Sequence, residues 1–293
     1  MSDLSISYPI EPEALDIQHD TDPADDHGRA RRIPHLGHTV LFFSLVFACL
    51  IVCLLGAFAI AHVSPGKTLT AYPGLTLTAQ GAGYSLALIV SAWLFPYMWK
   101  RSFLAGIEWN ALAAARRWGW LILSALLLSL VAESSLRFVH LSKNAPIEEI
   151  FQSRHVAYIA AILGVVFGPV MEEIAFRGFL LPALATAYDW ATFPRTPAGL
   201  DRWQNSTAHT TPALVVATLL SSTPFALMHA AQIGYAWGVV GILYGVSLVL
   251  SYVRIRFHSV ACSAIMHATY NFTIFAAMFV ATGGFRHLDI LQK

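Results

Sequence analysis

The chain has 293 residues, 56% of them hydrophobic and 12% charged, with a formal net charge of +1. That balance is too apolar for an ordinary water-soluble domain of this length, and near-neutral charge without a basic cluster among stacked aromatics excludes a nucleic-acid partner. It points to a polytopic protein of the lipid bilayer.

Residues 1–38 are polar and acidic, then basic at "GRARRIPHLGH", Gly28 to His38. No short apolar run with a cleavage site precedes the first long hydrophobic segment. The expectation is a disordered cytoplasmic tail without a cleaved signal peptide. A bilayer core about 30 Å thick needs roughly 20 apolar residues per helix. Predominantly apolar runs near that length are Thr39–Val63, Gln80–Trp99, Trp118–Phe138, Val156–Tyr188, Pro212–Ala231, Tyr235–Val253 and Ser259–Ala281. The fold class expected is all-α, a polytopic transmembrane helix bundle of about seven spans, or eight. Pro96 interrupts the second run, and the fourth is too long for a simple span, with Gly164, Gly168 and Pro169 inviting a kink. Cys49, Cys53 and Cys262 all fall in apolar segments with no C-x-x-C pair, so they read as small apolar-segment residues.

Lysine and arginine in short loops set orientation. Arg29, Arg31 and Arg32 precede the first run, Lys100, Arg101, Arg116 and Arg117 separate the second and third, and Arg254 and Arg256 separate the sixth and seventh. All fall on one side if the spans are counted correctly. This predicts a cytoplasmic amino terminus in an integral membrane protein of the cell membrane, with "GGFRHLDILQK" outside.

Within these apolar runs a few residues are out of place: Glu172, Glu173, Arg177, His229, His267 and Asn271. An intramembrane charge costs several kcal/mol unless it pairs or faces water, so each is a functional candidate. On a helix Glu173 and Arg177 stack on one face and can pair, whereas Glu172 is rotated by about 100° and points elsewhere. One carboxylate is neutralised and the other, Glu172, is left over as the candidate general base. A structural charge cluster that ties helices together is the alternative for this triplet. "FALMH" and "HATYN" carry the same four-residue spacing. His267 and Asn271 share a stripe, so two N–H donors can converge as an oxyanion requires. Singly, His229 or Asn271 reads as interhelical packing. Together on apolar helices, each adds a desolvation cost that packing does not need.

These residues resemble a known family. "EEIAFR", "FALMH" and "HATYN" match E-E-x-x-x-R, F-x-x-x-H and H-x-x-x-N, in that order, of the CPBP intramembrane proteases, which include CAAX prenyl endopeptidases and bacteriocin-processing or self-immunity proteins. The resemblance implies a catalytic domain over 147–281, after accessory transmembrane helices at 39–146 and before a tail at 282–293. It also implies a catalytic cavity inside the membrane, opened toward the cytoplasm. Carried over by position, Glu172 and His229 activate water and His267 and Asn271 hold the oxyanion, while Glu173 and Arg177 support them and Phe225 packs beside the site. The expected partner is a membrane-associated peptide or protein substrate. No cofactor is the preferred reading; Zn²⁺ held by Glu172, His229 and His267 is the alternative. There is no H-E-x-x-H. A non-catalytic scaffold or immunity protein of the same family, and a transporter, remain competing functions. Against a transporter, no inverted repeat is evident.

Overall fold

The structure, a computed structural model, describes residues 32–63, 71–140 and 153–292. The tail expected over 1–38 therefore lies, up to residue 31, outside the described residues. These residues are helical, with no strand among them. The helices are α1 (Leu36–Ile60), α2 (Pro73–Trp99), α3 (Phe103–Gly106), α4 (Ala111–Leu136), α5 (Arg154–Thr192), α6 (Pro197–Asn205), α7 (Thr211–Leu227), α8 (Trp237–Phe257) and α9 (Val260–Ala281), with a 3₁₀ turn at Leu288–Gln292. Pro194–Thr207 is a unit of its own, in which Thr196 Oγ1 caps α6 by accepting from Gly199 N–H at 3.2 Å. The remaining described helices form one bundle.

Six of them, α1, α2, α4, α5, α8 and α9, are long and apolar enough to cross a membrane. Six of the expected runs are thus full spans. The remaining run, Pro212–Ala231, holds the shorter apolar helix α7. α7 ends at Leu227 and turns follow, with Pro224 inside the helix one turn from its end. At ~1.5 Å per residue α7 is roughly 26 Å long, at the lower limit for crossing a bilayer core. Pro96 likewise does not interrupt α2, since it lies one turn from the end and Lys100 N–H donates to its carbonyl at 2.9 Å.

Contacts between helix ends give the bundle two poles. Glu108, after α3, pairs with Arg254 of α8 at 2.9 Å, and Ser259 Oγ donates to the Asn110 carbonyl at 2.9 Å. Arg117 lies over the Phe257 ring at 4.9 Å, and the His38 ring meets Trp99 edge-on at 5.6 Å. The starts of α1, α4 and α9 and the ends of α2 and α8 therefore share one pole. Lys100, Arg101, Arg116, Arg117, Arg254 and Arg256 gather there. At the other pole Tyr158 packs on Phe285 at 5.3 Å. Exposed Trp93, Tyr97, Trp118 and Trp120 ring the basic pole, and exposed Phe138, Tyr235 and Trp237 mark the other, as interfacial aromatic belts do. Cysteines placed at exposed Lys100 and Arg256, after removal of the native ones, should react with an impermeant maleimide from one side of sealed vesicles, and one at Arg286 from the other. Labelling of the first two from opposite sides would contradict this packing.

α5 is the axis of the site. Its 39 residues extend ~58 Å, about twice the thickness of a bilayer core. Gly178 faces Ile107 at the basic pole, so the turns from Leu181 to Thr192 continue past the α3–α4 junction. They pack their Leu181 and Ala185 against Ala213 and Ala217 of α7. Asp189 fastens this pair of helices: it accepts from Thr210 Oγ1 at 2.6 Å and lies 3.0 Å from His209 Nδ1, and Thr210 is the N-cap of α7. On the opposite flank Phe179 stacks on Phe42 of α1 at 4.2 Å and meets Phe95 of α2 at 5.0 Å. Glu172 precedes Gly178 by six residues, which sets it ~9 Å inside the basic pole.

Candidate active site

α5 is irregular where the chemistry sits. π-type turns occupy Leu163–Phe167 and Ile174–Leu180, on either side of Glu172 and Glu173. Each has a local cause. In the first, Gly168 N–H donates to Leu163, five residues back, and Pro169 has no N–H to offer Gly164. The Gly164 carbonyl is left for a side chain, and Asn271 Nδ2 of α9 donates to it at 2.7 Å. In the second, Leu181 N–H donates to Phe176, Pro182 follows, and Thr39 Oγ1 of α1 donates to the Phe179 carbonyl at 3.2 Å. The kink expected at Gly164, Gly168 and Pro169 is thus a π-bulge, and one of its freed carbonyls fixes Asn271. Asn271→Leu should leave that carbonyl without a partner and cost about 1–3 kcal/mol, read as a lower melting temperature in detergent. Unchanged melting would contradict this role.

Glu173 is fully buried. Its Oε1 accepts from Arg177 Nη1 at 2.8 Å and lies 3.0 Å from His267 Nδ1. Arg177, also buried, donates through Nη2 to the Ser247 carbonyl at 2.9 Å and its Oγ at 2.7 Å, and through Nε to Ser251 Oγ at 3.3 Å. Its guanidinium lies 4.5 Å from the Phe225 ring centroid. The guanidinium fork is therefore occupied on several sides, the condition under which a buried charge is tolerated. Ser247 and Ser251 were not singled out in the sequence. Their signal there is two hydroxyls one helical turn apart in an apolar run.

Glu172, 16% exposed, lies on the open side of α5, with its Oε2 3.9 Å from His267 Nε2. That oxygen has no hydrogen-bond partner among the described residues. Gly168, one turn earlier, leaves room for the carboxylate, since a Cβ there would sit 3.7 Å from Glu172 Oε1. His267 therefore bridges the two glutamates. Its Nδ1–H is oriented by Glu173, which turns Nε2 toward Glu172. His229 lies beyond the end of α7, in a turn, with Nδ1 2.9 Å from the Phe225 carbonyl. A carbonyl only accepts, so Nδ1 carries the proton and Nε2 holds the lone pair. Phe225 lies between the imidazoles, 5.3 Å from the His229 ring and 5.7 Å from that of His267.

The structure thus brings Glu172, Glu173, Arg177, Phe225, His229 and His267 into one neighbourhood. Asn271, one turn beyond His267 on α9, already spends one amide hydrogen on Gly164. No three His, Cys, Asp or Glu side chains among the described residues are gathered as one metal ion requires.

Residues 154–273 match the family model described as type II CAAX prenyl endopeptidase Rce1-like. Over this segment the chain is similar to that family. The family is one of proteases, in agreement with the resemblance read from the three motifs, and the crossing helices make this chain an integral membrane protein. The Rce1-like segment starts at the first residue of α5 and includes every candidate from Glu172 to Asn271, while α1 to α4 lie outside it. No curated protein and no solved structure matches the chain.

Proposed function

We propose that the chain is a glutamate-type intramembrane endopeptidase that hydrolyses a peptide bond of a membrane-associated substrate, of CAAX or bacteriocin-like type, near the cytoplasmic face of the cell membrane. The observation that supports this best is the division of labour between adjacent carboxylates: Glu173 is spent on Arg177 and His267, and Glu172 faces His267 Nε2 with a free oxygen. In this reading Glu172 takes a proton from water and His229, through Nε2, shares or relays it. His267, oriented by Glu173, and the remaining Asn271 amide hydrogen stabilise the oxyanion. Because Nδ1 of His267 already donates to Glu173, Nε2 donates to the oxyanion only as imidazolium. The basic pole is assigned to the cytoplasm from its arginines and lysines.

The zinc version of the same protease has one observation in its favour, since a carboxylate on the far nitrogen of a histidine is a common support for a metal ligand. A chelator separates the two. Purified protein treated with a membrane-permeant chelator should still cut a quenched farnesylated CAAX peptide in proteoliposomes, because proton transfer alone needs no Lewis acid. Activity that disappears, and returns only with zinc that His267→Ala no longer binds, would replace the glutamate mechanism by a metal-dependent one.

A further inference from the structure

α2 lies outside the Rce1-like segment, yet it packs along α5 on both sides of the turn that carries Glu172. It runs alongside α5 in fixed register. A Cβ at Gly74 would sit 3.2 Å from Val156, one at Gly81 would sit 2.9 Å from Leu163, and Phe95 meets Phe179 at 5.0 Å. That close approach depends on the glycines. The register carries Tyr84, one turn after Gly81, to the level of residues 166–168, and a Cβ at Gly168 would sit 3.7 Å from Glu172 Oε1. Tyr84 Oη accepts from Gln80 Nε2 at 3.0 Å, one turn back on the same helix. A phenol has one O–H, and with Gln80 donating to the oxygen that O–H is left to donate elsewhere.

A peptide drawn into a membrane-embedded site brings backbone carbonyls that need donors, because no bulk water replaces the hydrogen bonds it leaves. The Glu172 carboxylate, when ionised, accepts only and repels a carbonyl oxygen. A donor on the facing helix answers this need. We propose that Tyr84, aimed by Gln80, is a peptide-binding residue of the site, its O–H donating to a backbone carbonyl of the substrate lying between α2 and Glu172. The proposal rests on the protease reading above and adds to it a contribution from the accessory helices. Its role is in holding the substrate, so it acts on KM rather than on the chemical step.

Tyr84→Phe keeps the ring and its packing and removes only the O–H. With the quenched farnesylated CAAX peptide in proteoliposomes, it should raise KM by ~tenfold with kcat nearly unchanged and the melting temperature unmoved. Gln80→Leu should shift KM in the same direction and by less. A second measurement needs no substrate. The full-length chain carrying 3-fluorotyrosine at position 84 should show a ¹⁹F resonance that moves on Glu172→Gln. A wild type that cuts the probe while Tyr84→Phe cuts it with unchanged KM overturns the Tyr84 proposal alone, as does a resonance indifferent to Glu172→Gln. A wild type that leaves the probe uncut, with a resonance that does respond, counts instead against the protease reading and its substrate class.

Discussion

Glu172→Gln yields a folded protein that cuts its substrate about 10² to 10⁴ times more slowly, the contribution of a well-placed general base. The substitution keeps the shape of the side chain and removes its capacity to take a proton. Folding is spared because Glu172 anchors nothing else: its Oε2 has no hydrogen-bond partner among the described residues, and its nearest ionisable contact, His267 Nε2, is 3.9 Å away. A melting temperature within error of wild type, together with the lost rate, is the expected pair of results. A variant that unfolds would mean that Glu172 is structural, and one that cuts at the wild-type rate would move the base elsewhere.

Glu173→Gln fails in both respects. Glu173 is buried between Arg177 at 2.8 Å and His267 at 3.0 Å, so removing its charge leaves a buried guanidinium without its counterion and an imidazole without its orienting acceptor. Breaking a buried pair at one partner costs about 3–5 kcal/mol, because the remaining charge stays desolvated. Ser247 and Ser251 keep their hydrogen bonds to Arg177 but supply no negative charge. Thermal unfolding in detergent should therefore occur at clearly lower temperature than for Glu172→Gln. The double replacement Glu173→Leu with Arg177→Leu should recover part of the stability and none of the activity, since His267 remains unoriented. Equal melting of the two single glutamine variants, with Glu173→Gln active, would remove the pairing argument. His267→Ala lies between them: as an oxyanion donor it should cost about 10² to 10³ in rate.

The parts of the molecule legible in the sequence are those that depend on nearby residues. Apolar runs of membrane length mark α1, α2, α4, α5, α8 and α9, and the four-residue spacing of Glu173 and Arg177 marks their pair, because both follow from helical geometry within one segment. The run Pro212–Ala231 is legible as the apolar helix α7, but hydropathy alone does not show that the helix ends at Leu227 and leaves His229 in a turn. The partners of Arg177 on α8 and of Asn271 on α5 were not legible. They depend on which helices lie side by side, and the Gly164 carbonyl becomes free only because Pro169 lacks an N–H. The contribution of Tyr84 is hidden for the same reason, since it depends on the register between α2 and α5.

The central claim is that Glu172 drives peptide-bond hydrolysis inside the membrane. Its most direct test is quantitative terminal proteomics on membranes from cells producing equal amounts of wild-type and Glu172→Gln protein. The account predicts at least one membrane-associated peptide whose new carboxyl terminus is present with the wild type and absent with Glu172→Gln. Identical sets of carboxyl termini in the two membranes, with both proteins folded, would contradict it.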